Sequence, residues 1–371
     1  MNAGTTDTSG DGKAGVNLPG LRDHNAALVL ALLREAGPEG LGRGELAART
    51  GLTPQAVSKI TARLRAEGTV AEAGRGASTG GKPRTLLRLV PHSRHAVGVH
   101  LDRDELRVVR VDLAGTVVAE ARSPLDFGAG PGAALEEVVR AVTGLPGGGP
   151  GGPGDPGGHG LLGVGVAAPG PLDRRAGVFG RVTGFPEWEG FALRDALAAR
   201  LGVRVELDKD TNAGVAAAGS APGNVAYLHV GTGLGAGLRL DGRIHRGGRD
   251  GGPGAGEFGH QVLLLDGPRC RCGARGCAEV LCMDAVARGD TAGAARVLGE
   301  AAANLVALLD VDRVLLGGRV VRAAPEAYLA GVAAVLRSRA LGPRAPGVAL
   351  ARGGVAEGAA ELVLGPLFGT G

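Results

Sequence analysis

The chain has 371 residues, a length that suits two or three domains, and its 44% hydrophobic content supports a sizeable core. Its net charge of +4 is uneven: residues 19–90 hold eleven Lys/Arg against six Asp/Glu, while the remainder after residue 90 is balanced, so a small basic head is expected to meet a polyanion. No apolar run approaches the length that crosses a bilayer, and the N-terminus has no basic start followed by an apolar segment, so we expect no membrane span, no signal peptide and a cytoplasmic protein.

Residues 1–18 read as a disordered tail, and residues 19–90 read as a winged helix-turn-helix. In "RDHNAALVLALLREAG" (22–37), Ala27, Leu30, Ala31 and Leu33 recur at roughly helical spacing. "GRGELAARTG" predicts a short second helix stopped by Gly51. "LTPQAVSKITARLRAEG" predicts a third, with Thr53 as cap and Pro54 at the first helical position, where its missing N–H is harmless. Ala47, Gly51, Val57 and Ile60 then take the positions a helix-turn-helix needs. The outer face of the third helix is expected to carry Gln55, Ser58, Lys59, Thr61, Arg63 and Arg65, side chains that reach base edges and phosphates in a major groove. "TVAEAGRGASTGGKPRTLLRLV" follows as two β-prone runs around a glycine-rich tip bearing Arg75, Lys82 and Arg84, the wing.

The body spans residues 91–371. "HAVGVHLDRDELRVVRVDLAGTVVAEARSPL" alternates as two or three antiparallel strands with a turn at Asp112–Gly115, and a helix follows over about 131–143. The Gly/Pro-rich segment 144–160 cannot bury a core and reads as a mobile surface loop. "LLGVGVAAPGPLD" is a buried strand entering a Pro-Gly loop, and "FALRDALAARLG" is a helix. "VRVELDKDTNAGVAAAG" is a strand passing through Asp210 into another helix, and "NVAYLHVGTGLGAGLRLDGRIHRG" is a hairpin with a glycine-rich turn. A strand-then-helix theme that occurs twice predicts an α/β body of two similar lobes. All four cysteines fall within "CRCGARGCAEVLC" (270–282), just after a Glu and a His in "GAGEFGH". In a reducing compartment such clustering points to metal rather than disulfides.

The order of "GVGVAAPGPLD", "DTNAG", "VGTGLGAG", "GAGEFGH", "CRCGARGCAE" and "VLLGG" resembles the ROK family of repressors, open reading frames and kinases, and the winged helix ahead of them is similar to its repressor branch. The resemblance implies a two-lobed, actin-like (ribonuclease-H-like) body of sugar-kinase type with a sugar cleft, commonly assembled as a homodimer or homotetramer. It assigns one structural Zn²⁺ per chain to His260, Cys270, Cys272 and Cys277. Zn²⁺ favours such a closed set of four N and S donors, and turns at Gly273 and Gly276 help the run fold back toward one ion. Cys282 falls outside the pattern and reads as a core thiol; free or redox-active cysteines are the plainer alternative. The resemblance also implies that Asp210, Glu257, His260 and Glu279 bind a sugar or sugar-derivative effector, carboxylates being suited to accept hydrogen bonds from neighbouring hydroxyls.

Three departures bear on function. Lys209 stands where the family usually has Asn, and is expected either to pair with Asp210 and mask it or to recognise an acidic sugar. The segment between Glu279 and "ARGD" (287–290) is shorter than the family pattern. Where resembling kinases have an Asp-x-Gly-Gly-Thr phosphate loop, this chain has His100-Leu101-Asp102-Arg103-Asp104: the metal-binding acid and both glycines are gone, and the added carboxylates would repel phosphate. The reading is therefore a non-enzymatic regulator, a repressor of carbohydrate genes that binds double-stranded operator DNA and responds to the cleft ligand. The alternatives are an ATP-dependent sugar kinase and a zinc-stabilised DNA-binding scaffold without an effector.

Overall fold

The computed structural model describes residues 18–75, 84–146, 160–219, 223–247, 255–340, 342 and 344–370. The chain divides into two compact units: residues up to Leu89 with Leu367–Gly369, and Val90–Pro366 with the last two residues.

The first unit is built from α1 (Leu18–Ala36), β1 (Leu41–Gly42), α2 (Arg43–Thr50), α3 (Pro54–Ala66), β2 (Val70–Arg75) and β3 (Thr85–Leu89). Local chemistry sets the turn between α2 and α3. Gly51 caps α2 in the left-handed conformation at φ 71°, and its N–H donates to Ala47 O. The Thr53 hydroxyl accepts from Ala56 N at 3.2 Å, with Pro54 opening α3. Val29, Leu33, Leu46, Val57 and Leu87 are fully buried and make the core. The expected hairpin of β2 and β3 gains a strand that periodicity does not reveal: β1 pairs with β3 at Leu41↔Leu87, giving a sheet of order β1-β3-β2. Two residues are too few to show alternation.

The second unit opens with the antiparallel meander β4 (His95–Leu101), β5 (Glu105–Asp112) and β6 (Val117–Pro124). α4 (Pro131–Gly144), β7 (Leu161–Ala168), the small pair β8 (Leu172–Asp173) and β9 (Val178–Phe179), α5 (Leu193–Leu201), β10 (Val205–Lys209) and α6 (Asp210–Ala216) follow. A second meander then begins with β11 (Val225–Val230), β12 (Leu234–Leu240) and β13 (Arg243–Ile244). It is followed by α7 (Ala278–Ala287), α8 (Thr291–Leu309), β14 (Arg313–Gly317), α9 (Arg319–Ala323), α10 (Pro325–Ser338), β15 (Gly347–Leu350) and α11 (Val355–Leu364). The sheets read β10-β7-β4-β5-β6 and β13-β12-β11-β14-β15. Each has an antiparallel meander whose first strand also pairs with a parallel strand, to which a second parallel strand is added. This duplicated order is the actin-like, ribonuclease-H-like architecture.

Each lobe has its own core. In the first, Val99, Val108, Val166 and Leu207 meet an aromatic group in which Trp188 stacks on Phe127 at 3.9 Å between ring centroids. The Trp188 Nε1–H donates to Phe127 O at 3.0 Å, so the buried indole is satisfied. The second core is rich in alanine, with Ala294, Ala295, Ala301 and Ala302 of α8 set against Leu228, Val314 and Val332. Helix α8 corrects the expectation that no apolar run could span a bilayer. Its 19 residues suffice by length and composition, but half of that window is buried, and it is a core helix packed between α7 and α10.

Helix α11 returns to the first sheet, where glycine permits close approach. A Cβ on Gly98 would run into the carbonyl oxygen of Ala356, and one on Gly165 into that of Ala359. Gly165→Ala is expected to destabilise the body by about 3 kcal/mol, because the obstacle is backbone on a packed helix and cannot rotate away. Urea unfolding checks this; a change below about 0.5 kcal/mol would mean that α11 shifts freely.

Candidate functional site

The Glu–His–Cys segment leads from a short helical turn at Phe258–His260 through a tight loop to the start of α7. Gly276, at φ 63°, lies so close to the Leu264 carbonyl that no side chain fits, and Gly273 turns at φ 98°. Cys270 N–H donates to Ala274 O at 2.8 Å, and Gly273 N–H donates back to Cys270 O at 3.0 Å. The donor atoms of His260, Cys270, Cys272 and Cys277 consequently lie within 4.8 Å of one another, a cluster that could hold a metal ion. Nδ1 of His260 faces Cys270 Sγ at 3.7 Å, and Cys272 Sγ is 3.6 Å from Cys277 Sγ. Burial pushes the Cys277 thiol up to about 12, with the neighbouring thiols adding to it, and burial also raises Cys270. Thiols so placed become thiolates readily only beside a cation, so the donor set fits a bound dication. Cys282 lies outside the cluster, fully buried in the second core.

Asp210, Glu257, His260 and Glu279 line one cleft between the lobes. The β10–α6 junction presents Asp210, and its mooring is Asp208, 1% exposed, which sequence reasoning did not single out. Asp208 accepts from Asn212 Nδ2 at 2.8 Å and from Arg246 Nε at 2.7 Å. Burial raises the Asp210 carboxyl above the ordinary range. Glu279, in the first turn of α7, accepts from Leu234 N at 2.9 Å and so ties the helix to the glycine-rich hairpin. Nε2 of His260 lies 3.8 Å from Glu257.

Lys209 does not pair with Asp210, which corrects one of the two expectations for it. Its Nζ donates to Glu257 Oε1 at 2.5 Å and to Ala255 O at 3.2 Å. Strand alternation explains this: consecutive residues leave the end of β10 in different directions. The shortened segment between Glu279 and "ARGD" lies wholly within α7, and a tight turn at 288–290 then joins α7 to α8, with Asp290 Oδ1 accepting from Gly293 N at 2.8 Å.

The end of β4 and the turn after it, residues 100–104, carry a second polar group. Burial lowers the His100 imidazole to about 4. Burial works to raise Asp102, but His100 and hydrogen bonds from Arg103 N–H and the Thr232 hydroxyl outweigh it and hold the carboxyl below its usual range. Asp104 forms a two-point ion pair with Arg319 at 2.8 and 2.6 Å, joining the lobes. His229, on the otherwise apolar β11, is 9% exposed. Its only sequence signal was a histidine among buried strand positions.

In the first unit, Gln55, Ser58, Lys59, Arg63 and Arg65 are exposed on α3 and Arg84 is exposed at the start of β3. Arg63 lies 3.7 Å from Glu67, and Arg65 pairs with Glu72 at 2.9 Å. Thr61 corrects the expected set. It is fully buried, and its hydroxyl donates to Val57 O at 2.8 Å. One helical turn separates Thr61 from Val57, so both face the core. Lys82 and the side chain of Arg75 lie outside the described residues.

A winged helix-turn-helix preceding, in the chain, a duplicated, cleft-bearing body defines the class: a sugar-kinase-type fold with an N-terminal winged helix-turn-helix. Residues 157–290 match the family model described as ROK family. It is 27% identical over 264 residues to the xylose repressor of Bacillus subtilis, covering 69% of this chain and 65% of that protein, so the chain spans just under two thirds of that relative's length. It is 41% identical to the glucokinase of Thermotoga maritima over 123 residues, 32% of this chain and 38% of that enzyme. A solved ROK family transcriptional regulator, described as a homologue of the E. coli MLC protein, shares the fold with a TM-score of 0.72 at 21% identity, over 94% of this chain and 97% of that one.

Proposed function

We propose that the protein is a sugar-responsive transcriptional repressor of carbohydrate-related genes, acting in the cytoplasm as a homodimer or homotetramer on two-fold related operator DNA. The observation that carries this reading is the convergence of Asp210, Glu257, His260 and Glu279 on one cleft in a chain that also bears a basic winged helix. Similarity to a xylose repressor supports it. Of residues 1–18, those before Leu18 of α1 would be a tail, the winged helix would end near residue 90, and 144–160 would be a surface loop.

In this reading Zn²⁺ is structural. His260, Cys270, Cys272 and Cys277 would hold it, and the ion would supply a rigid four-ligand staple with no open position for water. A ligand bond from His260 would hold its ring beside Glu257, so that imidazole Nε2 and carboxylate would present adjacent polar groups to a sugar. Asp210 and Glu279 accept hydroxyl hydrogen bonds from the opposite walls. An effector that closes the lobes shifts the spacing of two recognition helices, which must sit about one DNA turn apart.

Kinase activity is the alternative that the glucokinase similarity raises. Against it, Asp102 and Asp104 replace the phosphate loop, and Asp104 is engaged by Arg319. We read the protein as lacking phosphoryl transfer. The Lys209–Glu257 bridge favours a further reading, a scaffold whose cleft is closed to sugars.

Operator binding measured against sugar concentration separates these readings. A sugar that weakens binding about a hundredfold corresponds to roughly 2.7 kcal/mol of coupling. Glu257→Gln is expected to reduce that response at least tenfold and leave sugar-free operator affinity nearly unchanged, since the residue lines the cleft and belongs to none of the elements proposed to meet DNA. Superimposable response curves would show that the effector does not use this cleft. A wild-type protein indifferent to every sugar and sugar acid tested would establish the scaffold.

A further inference from the structure

The floor of the cleft holds a second donor set, separate from the His260–cysteine cluster. One donor atom each from His100 at the end of β4, Asp102 just beyond it and His229 on β11 lie within 4.8 Å of one another. Nε2 of His100 is buried without a hydrogen-bond partner among the described residues, a condition folded proteins rarely leave without a cause. The His100 and His229 rings meet edge to face at 5.9 Å between centroids, so neither stacks across the other's donors.

The surroundings orient these donors as those of a metal site are oriented. Nδ1 of His229 is 3.0 Å from the buried Tyr227 hydroxyl, which fixes the ring and leaves Nε2 for another ligand. Asp102 Oδ1 accepts from Arg103 N at 2.7 Å and from Thr232 Oγ1 at 2.8 Å, which leaves Oδ2. A Cβ on Gly231 would meet both His229 Nε2 and Asp102 Oδ2, so these two atoms flank one small space that a side chain there would fill.

We infer that His100, Asp102 and His229 bind a divalent transition-metal ion at the floor of the cleft, with its remaining coordination positions open. Two imidazole nitrogens and one carboxylate oxygen suit zinc and its first-row neighbours, and three protein ligands are the number found where a metal keeps an accessible position. The Asp210 carboxyl lines the same cleft, and a dication there would favour its charged form against the burial that raises it. His100 and Asp102 come from the first lobe and His229 from the second, so the ion would tie the two lobes together. Its binding does not require that the cleft take a sugar.

The test uses the full chain, stripped with chelator and titrated with Zn²⁺ or Co²⁺ alone. About two ions per chain are expected, one lost in Cys272→Ser and the other in His229→Gln. With Co²⁺, the cysteine cluster reports by thiolate charge-transfer absorption, and the second ion adds ligand-field bands without it. His100→Gln and His229→Gln are each expected to lose the second signal and keep the first, which also shows that they are folded. Asp102→Asn is a milder variant expected to weaken the second site at least tenfold. Wild-type protein that stops at about one ion, all of it lost in Cys272→Ser, overturns the inference. So does a second ion that survives in both histidine variants and in Asp102→Asn.

Discussion

A chain shortened to begin at Val90 is expected to lose operator binding entirely and to keep a folded, metal-loaded body. The ground is that the exposed basic residues of α3, Lys59 and Arg63 among them, belong to the first unit, whose core of Val29, Leu33, Leu46 and Val57 is its own. In the full chain, Lys59→Ala combined with Arg63→Ala is expected to weaken binding to a duplex selected from a random pool by at least a hundredfold. If both side chains meet phosphates, the slope of log affinity against log salt falls by about 0.9 for each contact removed, because fewer counterions are released. Loss confined to particular base positions, with the slope unchanged, would place them on base edges instead. Thr61→Ser should leave DNA affinity unaltered, since its hydroxyl is spent inside the head. A shortened chain that still binds the same duplex as tightly would refute the assignment of DNA contact.

Cys272→Ser is expected to release the metal of the His–Cys cluster and to destabilise the body, and Cys282→Ser to retain it. The loop from His260 to Cys277 has little apolar burial of its own: Leu264 is 52% exposed and Leu265 is 83% exposed. Its shape rests on backbone turns and, in the proposed metal-bound protein, would rest on four donors sharing one ion, so removing a ligand would remove most of what orders it. A loss of about 3 kcal/mol corresponds to a fall in Tm of roughly 5 °C for a body of this size. Elemental analysis with thermal unfolding in chelator reads both effects. Protein that carries no metal as purified and unfolds at the same temperature with and without chelator would rule out a structural ion. Because His260 is a proposed ligand and also lines the cleft, Cys272→Ser should blunt the effector response as well, whereas Cys282→Ser should not.

Local chemistry made much of this protein legible without coordinates. The Thr53 cap, Pro54 and Gly51 act within one turn of backbone, so they mark the helix-turn-helix wherever the rest of the chain goes. The Cys-x-Cys-x₄-Cys run with its glycines confines three thiols by covalent geometry, and a single tertiary neighbour, His260, completes the set. The repeated strand pattern announced two lobes, and both sheets have the same order. Thr61 was legible too and was misplaced: one turn after Val57, it had to share the buried face.

Other features depended on contacts between distant segments. Lys209 and Glu257 are 48 positions apart, and only the approach of the loop before His260 to the end of β10 decides that Glu257 rather than Asp210 receives the ammonium group. Asp104 meets Arg319 across 215 positions, and His100 meets His229 because β4 and β11 end at the same side of the cleft. Periodicity assigns a side chain to a face of its own element and carries no information about which other element covers that face. Packing decided those partners: α11 lies against sheet glycines, and the lobes close on opposed charges. The helix-turn-helix and the three-cysteine run were therefore written locally, while the polar floor of the cleft exists only once both lobes are folded together.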